Sequence, residues 1–270
     1  MRRPPPPPGW HLPDVAAGGA ELDGFDIVEG LVIRGGKARR PVGVEVLNGV
    51  SLHGGLVCSW PRGTVTAKST IDSLLEHWRA FGLPAYAQFD NDRIFAGAHA
   101  RADTFGRVAR LCLSLGVTPV FAPPRETGFQ AAVENYNGRW QAKVWARFDH
   151  RSPGSVELRS ARFVAAARLR SAPRIEAAPP RRPLPRDWVM DLQALKGRVI
   201  FLRRTDAGGR ASLLGHTFDV DRDWAGRLVR AVVDLNGRKV RFYALRRREP
   251  CWQPLLKTHR YRPPTRHFTE

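Results

Sequence analysis

The chain has 270 residues, 43% of them hydrophobic, and its 44 Lys and Arg exceed its 25 Asp and Glu, for a formal net charge of +19. That apolar share is enough for one large or two modest cores, while no apolar run reaches the ~18 residues of a membrane-spanning helix. Met1-Arg2-Arg3 and the five prolines after it lack the apolar stretch of a secretory signal, and Cys58, Cys112 and Cys251 form no CxxC pair, so the expectation is a soluble, cytoplasmic, reduced protein without a zinc site or disulfide framework.

In chain order, residues 1–19 are a Pro-rich lead-in. Residues 25–33 and 42–47 are rich in β-branched and apolar side chains and predict two strands, with Gly35-Gly36 between them as a turn. Residues 56–60 give a third strand. Thr66 caps a helix over 71–81 whose Ile71, Leu74, Leu75 and Trp78 share one face. A fourth strand over 84–89, a helix over 105–115, a fifth strand over 117–121 and a helix over 133–148 complete a mixed α/β layout. Residues 151–186 are basic and rich in Pro and Ala, with a helix over 155–169 and a semi-rigid linker at 178–185. Short strands then follow at 198–203, 211–214, 217–220, 227–235 and 239–245, with Asn236-Gly237 as a hairpin signal. They predict a small all-β barrel over 187–250, after a core over 20–150 and the linker over 151–186, and before a basic tail over 251–270.

Charge divides the chain unevenly. Residues 1–150 hold 17 basic and 14 acidic side chains, and residues 151–270 the other 27 and 11. A strongly basic half points to a polyanion, nucleic acid first. Only six of the cations are lysine; a bias toward arginine explains that choice, but not the missing acidic partners. Arg198, Arg203, Arg204, Arg238, Arg241 and the triplet Arg246-Arg247-Arg248 fall at strand ends, where they suit contact with a phosphate backbone.

The α/β half places carboxylates at telling points: Asp26 in the first strand, Asp90 at the end of the fourth, Glu134 at the start of the last helix. Together they offer an oxygen-only ligand set suited to Mg²⁺ or Mn²⁺, and a pair of such ions serves phosphodiester displacement. Asp14 and Asp23 compete with Asp26 for the first position; Pro13 makes Asp14 a poor central-strand residue.

The segments Gln88-Phe-Asp-Asn-Asp-Arg-Ile-Phe95, Arg110-Leu-Cys-Leu-Ser-Leu-Gly-Val-Thr-Pro-Val-Phe-Ala-Pro-Pro124 and Ala131-Ala-Val-Glu-Asn-Tyr-Asn137, with 44 positions from Asp90 to Glu134, resemble the catalytic core of insertion-sequence transposases. These are the retroviral-integrase-like, Asp-Asp-Glu group with a ribonuclease H-like fold. The resemblance spans roughly residues 20–150. More weakly, the C-terminal region is similar to the β-barrel of Mu-type transposases. It implies a ribonuclease H-like mixed sheet followed by a small barrel, two divalent ions on Asp26, Asp90 and Glu134, and DNA cleavage followed by strand transfer. Asp26-Ile-Val-Glu29 with Val44-Glu-Val-Leu-Asn48 fits the family's first strands; Ser51, where many relatives carry Asp, departs from them.

On the last helix, Asn137 and Gln141 share the face of Glu134, Arg139 and Lys143 flank it, and Val133, Trp140 and Val144 form the buried stripe. The first four, with Arg246, Arg247 and Arg248, are the expected DNA contacts, and Asp92 and Glu126 are expected to be supporting or solvated groups. Gly49 to Gly54 lacks the GxSxG spacing, leaving Ser51 and His53 structural, and no phosphate-binding P-loop is present. The family further implies multimers on DNA and a helix-turn-helix element, expected from a missing N-terminal region or a partner protein. The rival expectations are a transposase-derived DNA binder that does not cut and a metal-dependent nuclease.

Overall fold

A computed structural model of the chain describes residues 7–34, 40–97, 102–126, 128–265 and 268. The expected Gly35-Gly36 turn lies outside the described residues. In chain order the elements are α1 (Pro13–Ala16), β1 (Leu22–Ile33), β2 (Val42–Ser51), β3 (Val57–Arg62), α2 (Ala67–Phe81), β4 (Tyr86–Phe89), α3 (Arg93–Ala96), α4 (Arg107–Ser114), β5 (Thr118–Phe121) and α5 (Ala131–Trp140). A π-helical turn (Gln141–Trp145) then leads to α6 (Pro153–Glu176), β6 (Arg198–Arg204), β7 (Arg210–Leu213), β8 (His216–Asp219), a short 3₁₀ turn (Arg222–Trp224), β9 (Leu228–Asp234), β10 (Lys239–Ala244) and β11 (Leu255–Arg260).

One sheet runs β11-β10-β9-β6-β5-β4-β1-β2-β3. Strands β1, β4, β5 and β6 are mutually parallel, and β2 and β3 continue antiparallel from β1. The order β3-β2-β1-β4-β5, with helices on both faces, is the mixed ribonuclease H-like arrangement. Alternation along the central strands fills both faces. Phe25, Phe89, Phe121 and Phe201 point to the core beneath α2, α3 and α4. Val120, Ile200 and Leu202 point the other way, to a core that includes Trp10, Leu12 and Val15 of the lead-in. Over β1–β3, Val28, Val44 and Val46 meet Tyr136, Trp140, Val156 and Val164 of α5 and α6.

The C-terminal strands attach differently from the sequence expectation. β6 pairs in parallel with β5 (Val120 with Ile200, Phe121 with Phe201), so β6, β9, β10 and β11 extend the core sheet across the boundary drawn at 187. Val199-Ile-Phe-Leu202 is buried on both faces, as suits an interior strand rather than the wall of a detached unit. β7 and β8 form a separate two-stranded sheet. Asp234 pairs with Lys239, leaving residues 235–238 in the loop. That turn is longer than a two-residue Asn-Gly turn, with Arg238 in the left-handed region and the Gly237 N–H donating to Asp234 Oδ1 at 2.8 Å.

Helix starts follow local chemistry. Thr66 and Ser69 form a reciprocal cap that begins α2 a turn earlier than its apolar stripe implies, and Ser152 and Ser155 do the same for α6. No helix among the described residues is long and apolar enough to cross a membrane.

Candidate functional site

Asp26 lies on β1, Asp90 directly follows β4, and Glu134 is in the first turn of α5. Parallel pairing of Leu22 with Tyr86, Asp23 with Ala87 and Gly24 with Gln88, continued by two residues, brings Asp26 level with Asp90. Helix α5 crosses β1 at this point. Gln130 Nε2 donates to the Phe25 carbonyl at 3.2 Å, and Asn137 Nδ2 donates to Asp26 Oδ2 at 2.7 Å. Glu134 sits between these two anchors on an exposed part of the helix.

The electrostatics reflect this approach. Burial, then the charge of Asp90, then that of Glu134 raise the Asp26 carboxyl; hydrogen bonds from Ile27 and Asn137 lower it, and it comes to rest at about 6. Asp90 is raised by burial and by the charges of Asp92 and Glu29, against a stabilising bond from the Asp92 N–H. Burial together with neighbouring negative charge is the state a cation relieves. The donor chemistry, carboxylate oxygens only, fits a hard divalent ion. Among the described residues, however, no three His, Cys, Asp or Glu side chains already stand together in a metal-holding cluster.

Asn137 is buried and fully engaged: it donates to Asp26 while its Oδ1 accepts from Asn48 Nδ2 at 2.8 Å. Asn48 faces Asp26 across the β1–β2 ladder, and its own Oδ1 is buried without a hydrogen-bond partner. Arg139, Gln141 and Lys143 are exposed, and Val133, Trp140 and Val144 are buried.

The competing aspartates are engaged elsewhere. Asp14 accepts from the Tyr86 hydroxyl at 2.7 Å and from Val15 N at 3.1 Å. Asp23 faces the opposite side of β1, 1% exposed, ion-paired with Arg181 and accepting from Trp78 Nε1 at 3.2 Å. Asp92 caps α3 through Ile94 N, and Glu126 pairs with Arg204. Ser51 Oγ accepts from Leu56 N, and His53 Nε2 lies 2.9 Å from the Val15 carbonyl.

Sequence reasoning did not connect Arg203 to this region. Its guanidinium donates to Asn91 Oδ1 at 2.9 Å, and Asn91 Nδ2 donates to the Ala122 carbonyl, so β6 braces the loop that carries Asp90. Burial lowers the Arg203 pKa to about 10. The apolar run around Arg203 was the available signal, since a cation inside an interior strand needs internal acceptors. Arg241 pairs with Asp234, and Arg198, Arg238, Arg247 and Arg248 are exposed, with Arg246 half-buried.

The fold is thus that of a mixed α/β, ribonuclease H-like protein. Among solved structures, a chain of the simian T-cell lymphotropic virus intasome in complex with PP2A regulatory subunit B56 gamma is 14% identical over 89% of this chain and 74% of its own, with a TM-score of 0.44. The catalytic core domain of BIV integrase is 19% identical over 53% of this chain and 82% of its own, with a TM-score of 0.38. The catalytic core domain of HTLV-2 integrase in complex with magnesium is 16% identical over 46% of this chain and 68% of its own, with a TM-score of 0.32. No protein-family model and no curated protein matches the chain.

Proposed function

We propose that the protein is a DNA transposase or integrase that cuts phosphodiester bonds and joins the freed ends to target DNA. The observation that supports this reading is geometric: the β1–β4 register carries Asp26 to the level of Asp90, and α5, which bears Glu134, is anchored to β1 through Gln130 and Asn137. In this reading the three carboxylates would hold Mg²⁺ or Mn²⁺, two ions in all. Bound there, the metal would activate the attacking oxygen and steady the leaving one. Asn137 positions the Asp26 carboxylate, and Asn48 holds Asn137 in turn. Arg203 and Asn91 fix the chain beside Asp90. The exposed Arg139, Gln141 and Lys143 and the Arg246–Arg248 triplet would meet the DNA backbone, whose phosphates supply the counter-charge for the basic C-terminal half. Two transposon ends call for at least two copies on DNA, a helix-turn-helix element of a partner protein would find those ends, and the place of action is the nucleoid.

The test is supercoiled plasmid with Mn²⁺ at low salt, beside Asp90→Asn and Glu134→Gln variants. Nicking or joining by the parent, lost in both variants, is the expected result; equal cutting by all three would remove these carboxylates from the chemistry. A second reading, a DNA binder that does not cut, is favoured by the lack of a preformed metal cluster among the described residues. DNA retention without cutting would select it. Nicked products with no joined products would select a nuclease.

A further inference from the structure

A cavity of about 660 Å³ opens between β1, β4 and the start of α5, lined by near neighbours of the three carboxylates rather than by the carboxylates themselves, and its volume lies within the ~300–1,000 Å³ of small-molecule sites. Its wall includes Gly24 on β1, Gln88 on β4 and Val133 on α5. Gly24 and Gln88 stand two residues before Asp26 and Asp90, hence on the same strand faces, and Val133 immediately precedes Glu134. The far wall is aromatic: Trp10 and Phe129 have ring centroids 5.5 Å apart at 44°. The Arg247 guanidinium lies 5.4 Å from the Trp10 ring and 5.8 Å from the Phe129 ring. His11, 2% exposed, also lines the cavity; its Nε2 is 3.1 Å from Gln88 Oε1, and its Nδ1 has no hydrogen-bond partner. Arg247 also lines a second cavity of about 630 Å³ with Arg227, Arg246, Arg248, Trp224 and Glu249, where four arginines outnumber the one carboxylate, which pairs with Arg246 at 3.3 Å.

An aromatic chamber with a few polar groups, sharing one arginine with a cationic chamber, matches the two halves of a nucleotide: a flat base and its phosphate. We propose that the cavity lined by Trp10, His11, Gln88 and Phe129 receives an unpaired base of a DNA strand whose phosphates lie along Arg246–Arg248, holding that strand next to Asp26, Asp90 and Glu134. The proposal rests on the DNA reading above and adds the base-binding site to it.

The test uses the full chain in EDTA, so that cutting plays no part. Binding is followed by fluorescence anisotropy on a labelled duplex bearing a short single-stranded overhang, and on the same duplex with abasic sugars in the overhang. The base-bearing overhang is expected to bind roughly tenfold tighter, the contribution of one base stacked on aromatic side chains, and 2-aminopurine in the overhang is expected to lose fluorescence. Ala132→Phe, which fills the cavity from the first turn of α5 without hollowing the core, should abolish both differences. Equal affinity for the two duplexes, with 2-aminopurine unquenched, would overturn the cavity assignment while leaving the DNA reading intact. No binding of either duplex would overturn both. Displacement of the overhang by micromolar deoxyadenosine monophosphate would reassign the cavity to a free nucleotide.

Discussion

Arg181 stands in the Pro-rich segment after α6, far from the candidate site in sequence, yet its guanidinium reaches under β1. Nη1 donates to Asp23 Oδ1 at 2.9 Å and Nη2 to Oδ2, while Nε donates to the Gly82 carbonyl at 3.0 Å. Asp23 is 1% exposed, so water cannot replace this partner. Arg181→Met keeps the alkyl stem and strands the carboxylate, leaving it Trp78 Nε1 at 3.2 Å and His77 Nε2 at 3.9 Å. Breaking a buried pair from one side costs ~3–5 kcal/mol. At ~2–4 °C per kcal/mol for a chain of this size class, the melting temperature should fall by about 10 °C. Urea unfolding followed by circular dichroism, with Asp23→Asn and the double variant, completes a cycle. The double variant should be more stable than Arg181→Met alone, because asparagine removes the stranded charge. A loss below ~1 kcal/mol in Arg181→Met, or strict additivity, would refute the claim that this segment is pinned to β1 through a buried charge.

Three further outcomes are expected. Asn137→Ala deletes the donor to Asp26 and should lower metal-dependent nicking by ~10–100-fold, the usual effect of losing a group that orients a ligand; unchanged nicking would remove Asn137 from the site. Gly49→Ala would set a Cβ 2.6 Å from Phe25 Cε1 and 2.7 Å from Cys58 Sγ, so overpacking should destabilise the fold by ~1–3 kcal/mol in urea titration. His11 and His77 are buried neutral, each lowered by desolvation to about 4; Gln88 partly offsets this for His11 and Asp23 for His77. Their folded pKa values lie below the unfolded one near 6.5, so their stability contribution is complete above pH 6.5 and is lost as pH falls from there to about 4. The loss is at most ~3 kcal/mol for each; a flat unfolding free energy across that window would contradict neutral burial.

The core of the sheet was legible because its strands are short apolar runs bounded by Gly and Pro, and because α2 and α4 carry one-sided stripes. Asp90 and Glu134 were visible as acids at a strand end and a helix start. The preference for Asp26 over Asp23 came from the family resemblance alone, since both lie on one strand and only the face each presents separates them. That face is set by Phe25, which locks into the core beneath α2 and sends its neighbours to the opposite side. The attachment of β6 to β5 was equally invisible: an apolar run such as Val199–Leu202 shows that a strand is interior without naming its neighbour. The cavity beside the site escaped notice because Trp10 and His11 come from a Pro-rich stretch that reads as an extended lead-in, whereas Trp10 packs on Phe129 across the molecule.

The β5–β6 seam also sets a schedule for synthesis. Val120 and Ile200 lie opposite each other on paired strands of the sheet, but a ribosome adding ~5–20 residues per second finishes the second on the order of ten seconds after the first. Throughout that interval the edge of β5 presents unpaired amides to any passing strand. Excising residues 20–150 as a free-standing core would make the interval permanent, so aggregation of such a fragment is the expected result even with every carboxylate of the site in place.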